Sequence, residues 1–343
     1  MVNAQSYYYN LLNKEQQKAY YAIKTGLLNI EDSFMVPRLT QKELSDIYFM
    51  VRLDCPRIFY SLSFRYRYYD DSTSVQLIPE YLFTKAKIKE HIQAMDSRIK
   101  KLVRTASDMK EWDKEKYIHD FICENVKYDK LKKQYSHEII GALGNGVAVC
   151  EGIAKAVKAL CDEMGIWCII ALSEANPEKG IKYRHAWNVV RIQGKYYHLD
   201  STFDNTLSKD DVIRYDYYNL SDKQIFRDHE PLIWKVPECS CGDNFYYKVK
   251  KVSWTTTDEV RNRTKQAVKK GKILLFHWRG GYLTRDVLNE LLHIFSEEAS
   301  KKQKIAKCSL NWPQAVIYVK FEDNGEIQTE FNIDEADESV RGE

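Results

Sequence analysis

Two strand-like runs joined by two residues constrain this chain more than any other feature. Residues 185–192 (His-Ala-Trp-Asn-Val-Val-Arg-Ile) and 195–200 (Lys-Tyr-Tyr-His-Leu-Asp) flank Gln193-Gly194. A connection of this length predicts a β-hairpin in which Ile192 pairs with Lys195 and the other pairs follow outwards. Trp187 then lies opposite Asp200, and His185 lies on the same face, diagonal to Asp200. Diagonal neighbours stand roughly 7–8 Å apart, a gap that an imidazole and a carboxylate can close. A slip of one residue would turn one of them to the other face. His198 shares that face and is the rival base. It sits further from the strand end and reads as a packing residue.

The segment before the hairpin predicts a helix over 151–164. Ile153, Val157, Leu160, Cys161 and Met164 form one apolar stripe at helical spacing. Gly165 stands where a left-handed cap would end it. Gly141, Gly144 and Gly146 argue against helix before Val149. Cys150 therefore falls at the helix start, where unpaired N–H groups and the macrodipole stabilise a thiolate. A lone cysteine is more often a small buried hydrophobe. The glycine-rich approach and the helix start weigh against that reading here.

Cys150, His185 and Asp200 thus supply a thiol, an imidazole and a carboxylate: the parts of a nucleophile, a base and its orienter. Attack on an amide also needs donors for the oxyanion. The Cys150 backbone N–H is the first candidate. His137 and Asn145, from the stretch before the helix, are candidates for a second donor. Asn145 in Gly-Asn-Gly also reads as a turn residue, and His137 as a surface one. Trp187, next to the hairpin end, is expected to be substrate-proximal.

With these motifs the chain resembles the transglutaminase-like superfamily of papain-like Cys-His-Asp enzymes, in its bacterial form. The resemblance rests on Gly146-Val-Ala-Val-Cys150-Glu151-Gly152, His185-Ala-Trp-Asn188, and Tyr197-His-Leu-Asp200-Ser-Thr-Phe-Asp204, in that order. Tyr215-Asp-Tyr-Tyr218 and Leu220-Ser-Asp222 add to it. It implies an α+β fold whose core packs a cysteine-bearing helix on an antiparallel sheet. It also implies Cys150 as nucleophile, His185 as general base and acid, and Asp200 as the histidine's partner. Such enzymes form a thioester that an amine resolves to a crosslink, or water to a deamidated or cleaved product. The chain departs from the pattern at Ile140, where an aromatic residue is common, and at Ser201, where proline is frequent. A cysteine peptidase or deamidase of the same fold is the first alternative, and a non-catalytic peptide-binding scaffold the second.

The remaining sequence suggests three regions. Residues 1–105 read as a mostly helical accessory region, with capping boxes at Asn13/Gln16 and Thr40/Glu43, a strand within 57–68 and a long helix near 86–103. Residues 106–252 hold the core, entered through a helix near 111–126. Residues 253–343 read as a small α+β unit with an acidic tail. In it Asp323-Asn324-Gly325 predicts a hairpin between 315–321 and 326–331, and the unit offers a surface through which two copies could pair. The 52 basic and 49 acidic residues are interspersed, so no nucleic-acid footprint is expected. No transmembrane run or leader pattern is present in the chain as given, which suggests a cytoplasmic protein. The expected partner is a protein or peptide substrate, with no membrane and no cofactor. No metal is expected either: Cys239, Cys241 and His229 fall short of a four-ligand set.

Overall fold

Reciprocal caps fix where the first two helices begin. Asn13 accepts from the Gln16 N–H while the Gln16 side chain accepts from the Asn13 N–H, opening α1 (Lys14–Leu28). Thr40 and Glu43 do the same for α2 (Gln41–Asp54). Between them runs β1 (Phe34–Pro37). After α2 come β2 (Ser61–Arg67) and β3 (Ser74–Tyr81), and the three strands form an antiparallel sheet in the order β1-β3-β2. Of these three strands, only β2 is expected from the sequence, within 57–68. Helix α3 (Lys85–Thr105) then buries Ile88, Met95, Ile99 and Leu102 on one face. The computed structural model describes residues 6–179, 181–323 and 330–333, the last group by backbone alone.

Helix α4 (Glu111–Asn125) leads to β4 (Lys127–Tyr128), which pairs in parallel with β5 (Val147–Ala148). Between these strands Ile140–Asn145 forms one π-helical turn, closed by Gly146 at φ 65°. Helical structure was not expected there, because three glycines weaken it. Buried Ile140, Ala142 and Leu143 supply the packing that overrides propensity. Helix α5 (Cys150–Met164) follows and ends on Gly165 at φ 77°. It lies against β6 (Trp167–Ser173) and β7 (His185–Ile192), and β7 pairs on its other side with β8 (Lys195–Leu199). Short α6 (Ser201–Leu207) and β9 (Tyr218–Leu220) complete an antiparallel sheet ordered β6-β7-β8-β9. The β7–β8 register is Ile192 with Lys195 through Asn188 with Leu199, as the two-residue turn requires. Gln193 and Gly194 both take positive φ, 51° and 82°, matching the twist of a tight hairpin.

Two single-turn helices, α7 (Asp222–Ile225) and α8 (Tyr246–Val249), carry the chain to the last unit. That unit contains β10 (Ser253–Trp254), α9 (Thr257–Lys270), β11 (Leu274–Trp278), α10 (Arg285–Ser300), β12 (Lys304–Asn311), β13 (Val316–Asp323) and β14 (Glu330–Ile333). The sheet order is β10-β11-β13-β12-β14. The expected hairpin around Asp323-Asn324-Gly325 is not how these strands pair. β13 pairs with β12, and β14 runs parallel to β12 at the other edge. Residues 324–329, which hold most of that turn, lie outside the described residues.

The fold is therefore α+β, with two apolar interiors. The N-terminal helices and sheet share one with α5 and its sheet, and the C-terminal unit has its own around Phe276, Phe295 and Leu310. Side chains from the face of the C-terminal sheet opposite that interior bond the middle region. Asn311 donates to buried Asp216 at 2.9 Å, Tyr318 to Asp210 at 2.8 Å, and Lys209 reaches Ser309 at 3.0 Å. No described helix is long and apolar enough to cross a membrane.

Candidate active site

The Cys-Glu-Gly run opening α5 owes its glycine to a close approach. A Cβ on Gly152 would lie 2.1 Å from the Ser136 carbonyl oxygen. That same oxygen accepts the Val149 N–H at 3.0 Å, so the segment ending at Ser136 clamps the start of the cysteine helix. Asp129 shapes the clamp. Its carboxylate accepts from the Leu131 and Lys133 N–H groups at 3.0 and 2.9 Å and from the Ser136 hydroxyl at 2.5 Å. Cys150 is left half-buried at the floor of a cleft of about 570 Å³. Phe49, Tyr128, His137, Leu172, Glu174 and Arg184 are among the side chains lining it. Phe49 comes from α2, so the N-terminal region forms part of the wall.

His185 begins β7 and pairs with Ser173 of β6. Its Nε2 lies 2.7 Å from Asp200 Oδ2. Asp200 is not the last residue of a strand, as its alternation suggested. It is the N-cap of α6, and its Oδ1 accepts the Thr202 and Phe203 N–H groups at 2.9 and 3.1 Å. The cap turns the carboxylate toward His185 and closes the diagonal gap. Both groups are buried, at 7% and 0% exposure. Burial disfavours the imidazolium, but the Asp200 charge, the hydrogen bond with Asp200 and the nearby Cys150 thiol outweigh it and push His185 up to about 10. Burial works against ionised Asp200 too, and the His185 charge with bonds from His185 and His229 holds it well below the usual carboxylate range.

The other ring nitrogen, His185 Nδ1, is buried without a hydrogen-bond partner. The Cys150 thiol is nonetheless close enough to help raise this histidine's pKa. One geometry fits both facts: the thiol is near the imidazole, just outside a formed hydrogen bond. The ring is held by Phe203, with centroids 4.8 Å apart, and by Trp187, stacked at 5.8 Å and 18°.

A buried ion cluster sits beneath the cleft. Lys155, one turn along α5, reaches Glu138 at 2.8 Å and Glu151 at 2.7 Å, and Arg52 of α2 pairs with both. Burial raises the Glu151 pKa, but the Lys155 charge leads the groups that lower it, and the net shift is downward. Removing one member would strand a buried charge, which costs about 3–5 kcal/mol.

The three remaining candidates separate. His137 lines the cleft, with Nδ1 3.2 Å from Glu151. Asn145 does not line it: its side chain donates back to the Ile140 carbonyl at 3.3 Å within the π-helical turn. Trp187 is 1% exposed and donates to His198 Nδ1 at 2.9 Å, so it touches His185 rather than the cleft. His198 in turn faces Asp222 at 2.7 Å through Nε2. Both its nitrogens are engaged, which removes it as a rival base.

The sequence points to His229 only as a metal-ligand candidate with Cys239 and Cys241, and not to its place beside Asp200. Its Nε2 lies 2.9 Å from Asp200 Oδ2 and its Nδ1 2.9 Å from Asp228. It carries no periodic or motif signal, only acidic neighbours in Arg-Asp-His-Glu. It lies with Asp200, apart from Cys239 and Cys241. Among the described residues, two trios bring ligand-type atoms within 4.8 Å: His185, Asp200 and His229, and His198, Asp222 and Cys239. Their imidazoles are already committed to carboxylates, so both read as hydrogen-bonded chains rather than ion sites.

Residues 96–201 match the sequence profile of the transglutaminase-like superfamily. Kyphoscoliosis peptidase of Mus musculus is 26% identical over 131 residues, covering 32% of this chain and 19% of that protein. Among solved structures, a TGase aligns with 14% identity and a TM-score of 0.30, over 66% of each chain. A candidate cysteine protease from Cytophaga hutchinsonii aligns with 15% identity and a TM-score of 0.27, over 41% of this chain and 61% of the other. The chain thus spans less than two thirds of each of these proteins.

Proposed function

We propose, from the premise that this chain belongs to the transglutaminase-like superfamily, that it is a cysteine acyl-transfer enzyme acting on protein or peptide amides through a thioester at Cys150. The observation carrying this reading is the arrangement of His185, bonded to Asp200 through Nε2 and leaving Nδ1 for the thiol at the floor of an open cleft. Asp200 holds the ring in orientation and favours the imidazolium, and an adjacent imidazolium favours the thiolate. The thiolate would attack the amide carbonyl, and the Cys150 N–H, with His137 at the cleft wall, would receive the oxyanion. His185 would protonate the departing amine, leaving the acyl group on sulfur. A second nucleophile, deprotonated by His185, would then release it.

An amine as that nucleophile gives crosslinking, and water gives hydrolysis. The similarity to a mouse peptidase favours hydrolysis as the second reading. Iodoacetamide labelling near neutral pH, followed by peptide mass spectrometry, tests the common premise. Cys150 should react far faster than the other seven cysteines, and Cys150→Ala should abolish turnover; uniform slow labelling of all eight would refute an activated thiol. A glutamine peptide incubated with and without a primary amine then separates the outcomes by mass: amine incorporation, deamidation or backbone cleavage.

A further inference from the structure

The structure assigns His229 a place beside Cys150, His185 and Asp200, as a second imidazole that positions the shared carboxylate and brings a positive charge to its far side. This rests on the cysteine acyl-transfer reading above.

The argument begins with counting donors. Asp200 Oδ2 accepts from His185 at 2.7 Å and faces His229 Nε2 at 2.9 Å, while Oδ1 is filled by two backbone N–H groups. On its other side, His229 Nδ1 faces Asp228 Oδ1 at 2.9 Å, and Asp228 Oδ2 accepts the Tyr217 hydroxyl at 2.5 Å. A neutral imidazole has one N–H, so it cannot donate to two ionised carboxylates. Held between Asp200 and Asp228, His229 satisfies both only as an imidazolium. The titratable groups about it are Asp200 at the start of α6, Asp228 and Glu230 on its own segment, His185 on β7, His198 on β8 and Tyr217. Burial opposes its charge, and its two aspartate partners outweigh that and raise its pKa.

The consequence concerns proton transfer. With Asp200 alone, His185 would be a strong base and a reluctant acid. A cation across the same carboxylate takes part of its charge and makes His185 readier to give its proton to a leaving amine. The hydrogen bond also fixes Asp200 from the side opposite Thr202. His229 acts through Asp200 and is a positioning residue.

The test is the pH profile of Cys150 alkylation by iodoacetamide, from pH 5 to 11, read by mass spectrometry on the Cys150 peptide. Wild type should show an upper step where His185 loses its proton, near 10. His229→Gln removes the charge. Asp228→Asn leaves the imidazole as a donor to Asp200 but removes the carboxylate that keeps it charged. Both should move the upper step upward by about one unit or more, since a unit charge near 5 Å in a site of intermediate dielectric is worth that much. A step that stays or moves down in either folded variant overturns the assignment. Unfolding would expose Cys150 as an ordinary thiol and change the profile, so each variant is first checked for native folding by circular dichroism, and Asp228→Asn keeps the question open to refutation if His229→Gln misfolds. If wild-type Cys150 shows no preferential labelling at all, the acyl-transfer reading has failed instead.

Discussion

Gly152→Ala isolates the clamp that aims the cysteine. The added methyl would sit 2.1 Å from the Ser136 carbonyl oxygen, against a practical minimum of 3.0 Å, so about 0.9 Å must open between α5 and the preceding segment. That segment cannot yield freely: Ser136 also accepts the Val149 N–H and donates to Asp129. Forced overpacking of this kind costs about 1–3 kcal/mol, reduced by up to ~1 kcal/mol through alanine's better helix propensity. At roughly 2–4 °C per kcal/mol the melting temperature should fall by a few degrees. The larger effect is on chemistry. A displacement near 1 Å between reacting groups can cost about 100-fold, so alkylation of Cys150 at neutral pH should slow by at least tenfold. Gly165→Ala, at the other end of α5, is the control. Its φ is 77° and nothing lies within 4 Å of a Cβ there, so backbone strain should lower stability without moving the thiol. Unchanged labelling in Gly152→Ala, or equal slowing in both variants, would refute the clamp.

Asp200→Asn removes the charge that offsets His185 burial. His185 should then titrate below its ordinary 6.5 rather than near 10, leaving most of it neutral at pH 7, and turnover should fall by about three orders of magnitude. The same pair gives a stability signature. A raised His185 stabilises the fold fully below pH 6.5, and that contribution is lost as pH rises through about 10. A depressed Asp200 contributes above 3.8 and is lost in acid. Melting temperature plotted against pH should therefore converge between wild type and Asp200→Asn at both extremes; parallel curves would show that the pair is not linked to folding. Asn311→Ala removes a buried donor to Asp216 and should cost about 1–3 kcal/mol, seen by calorimetry as an earlier transition of the C-terminal unit. A single unshifted transition would mean that this contact does not hold the unit in place.

What the sequence made legible has a local cause. The hairpin register followed from turn length, α5 from one apolar stripe, and the first two helix starts from four capping residues, because each is decided within a few residues of chain. The parts that stayed hidden depend on distant partners. β1 and β3 are short or mixed in pattern and become strands only by pairing with each other and β2. β12 reads Lys-Ile-Ala-Lys-Cys-Ser-Leu-Asn, whose Ala306, Cys308 and Leu310 face is recognisable only once the helices above it are placed. The Asp323-Asn324-Gly325 signal misled because turn propensity is weaker than the alternative pairings a sheet offers. His198 and Asn145 looked available in sequence because nothing local reveals that Asp222 and Ile140 engage them.

The same distinction explains why buried charge marks the functional region. Lys155 on the inward side of α5 breaks the apolar pattern, and it is tolerable only because Glu151 of the same helix and Glu138 from the preceding segment face it, with Arg52 of α2 paired to both carboxylates. Asp200 is a fully buried carboxylate just past the hairpin, and it is tolerable only with four donors around it. Each group would be costly alone, so each specifies the position of its partners as well as its own. One such network fixes the start of the cysteine helix to the N-terminal region, and the other fixes the imidazole to the end of the sheet. The thiol and the imidazole stand at the seam between the two networks, which is why changes at either network's far members, Arg52 or Asp228, should reach the chemistry without touching a substrate.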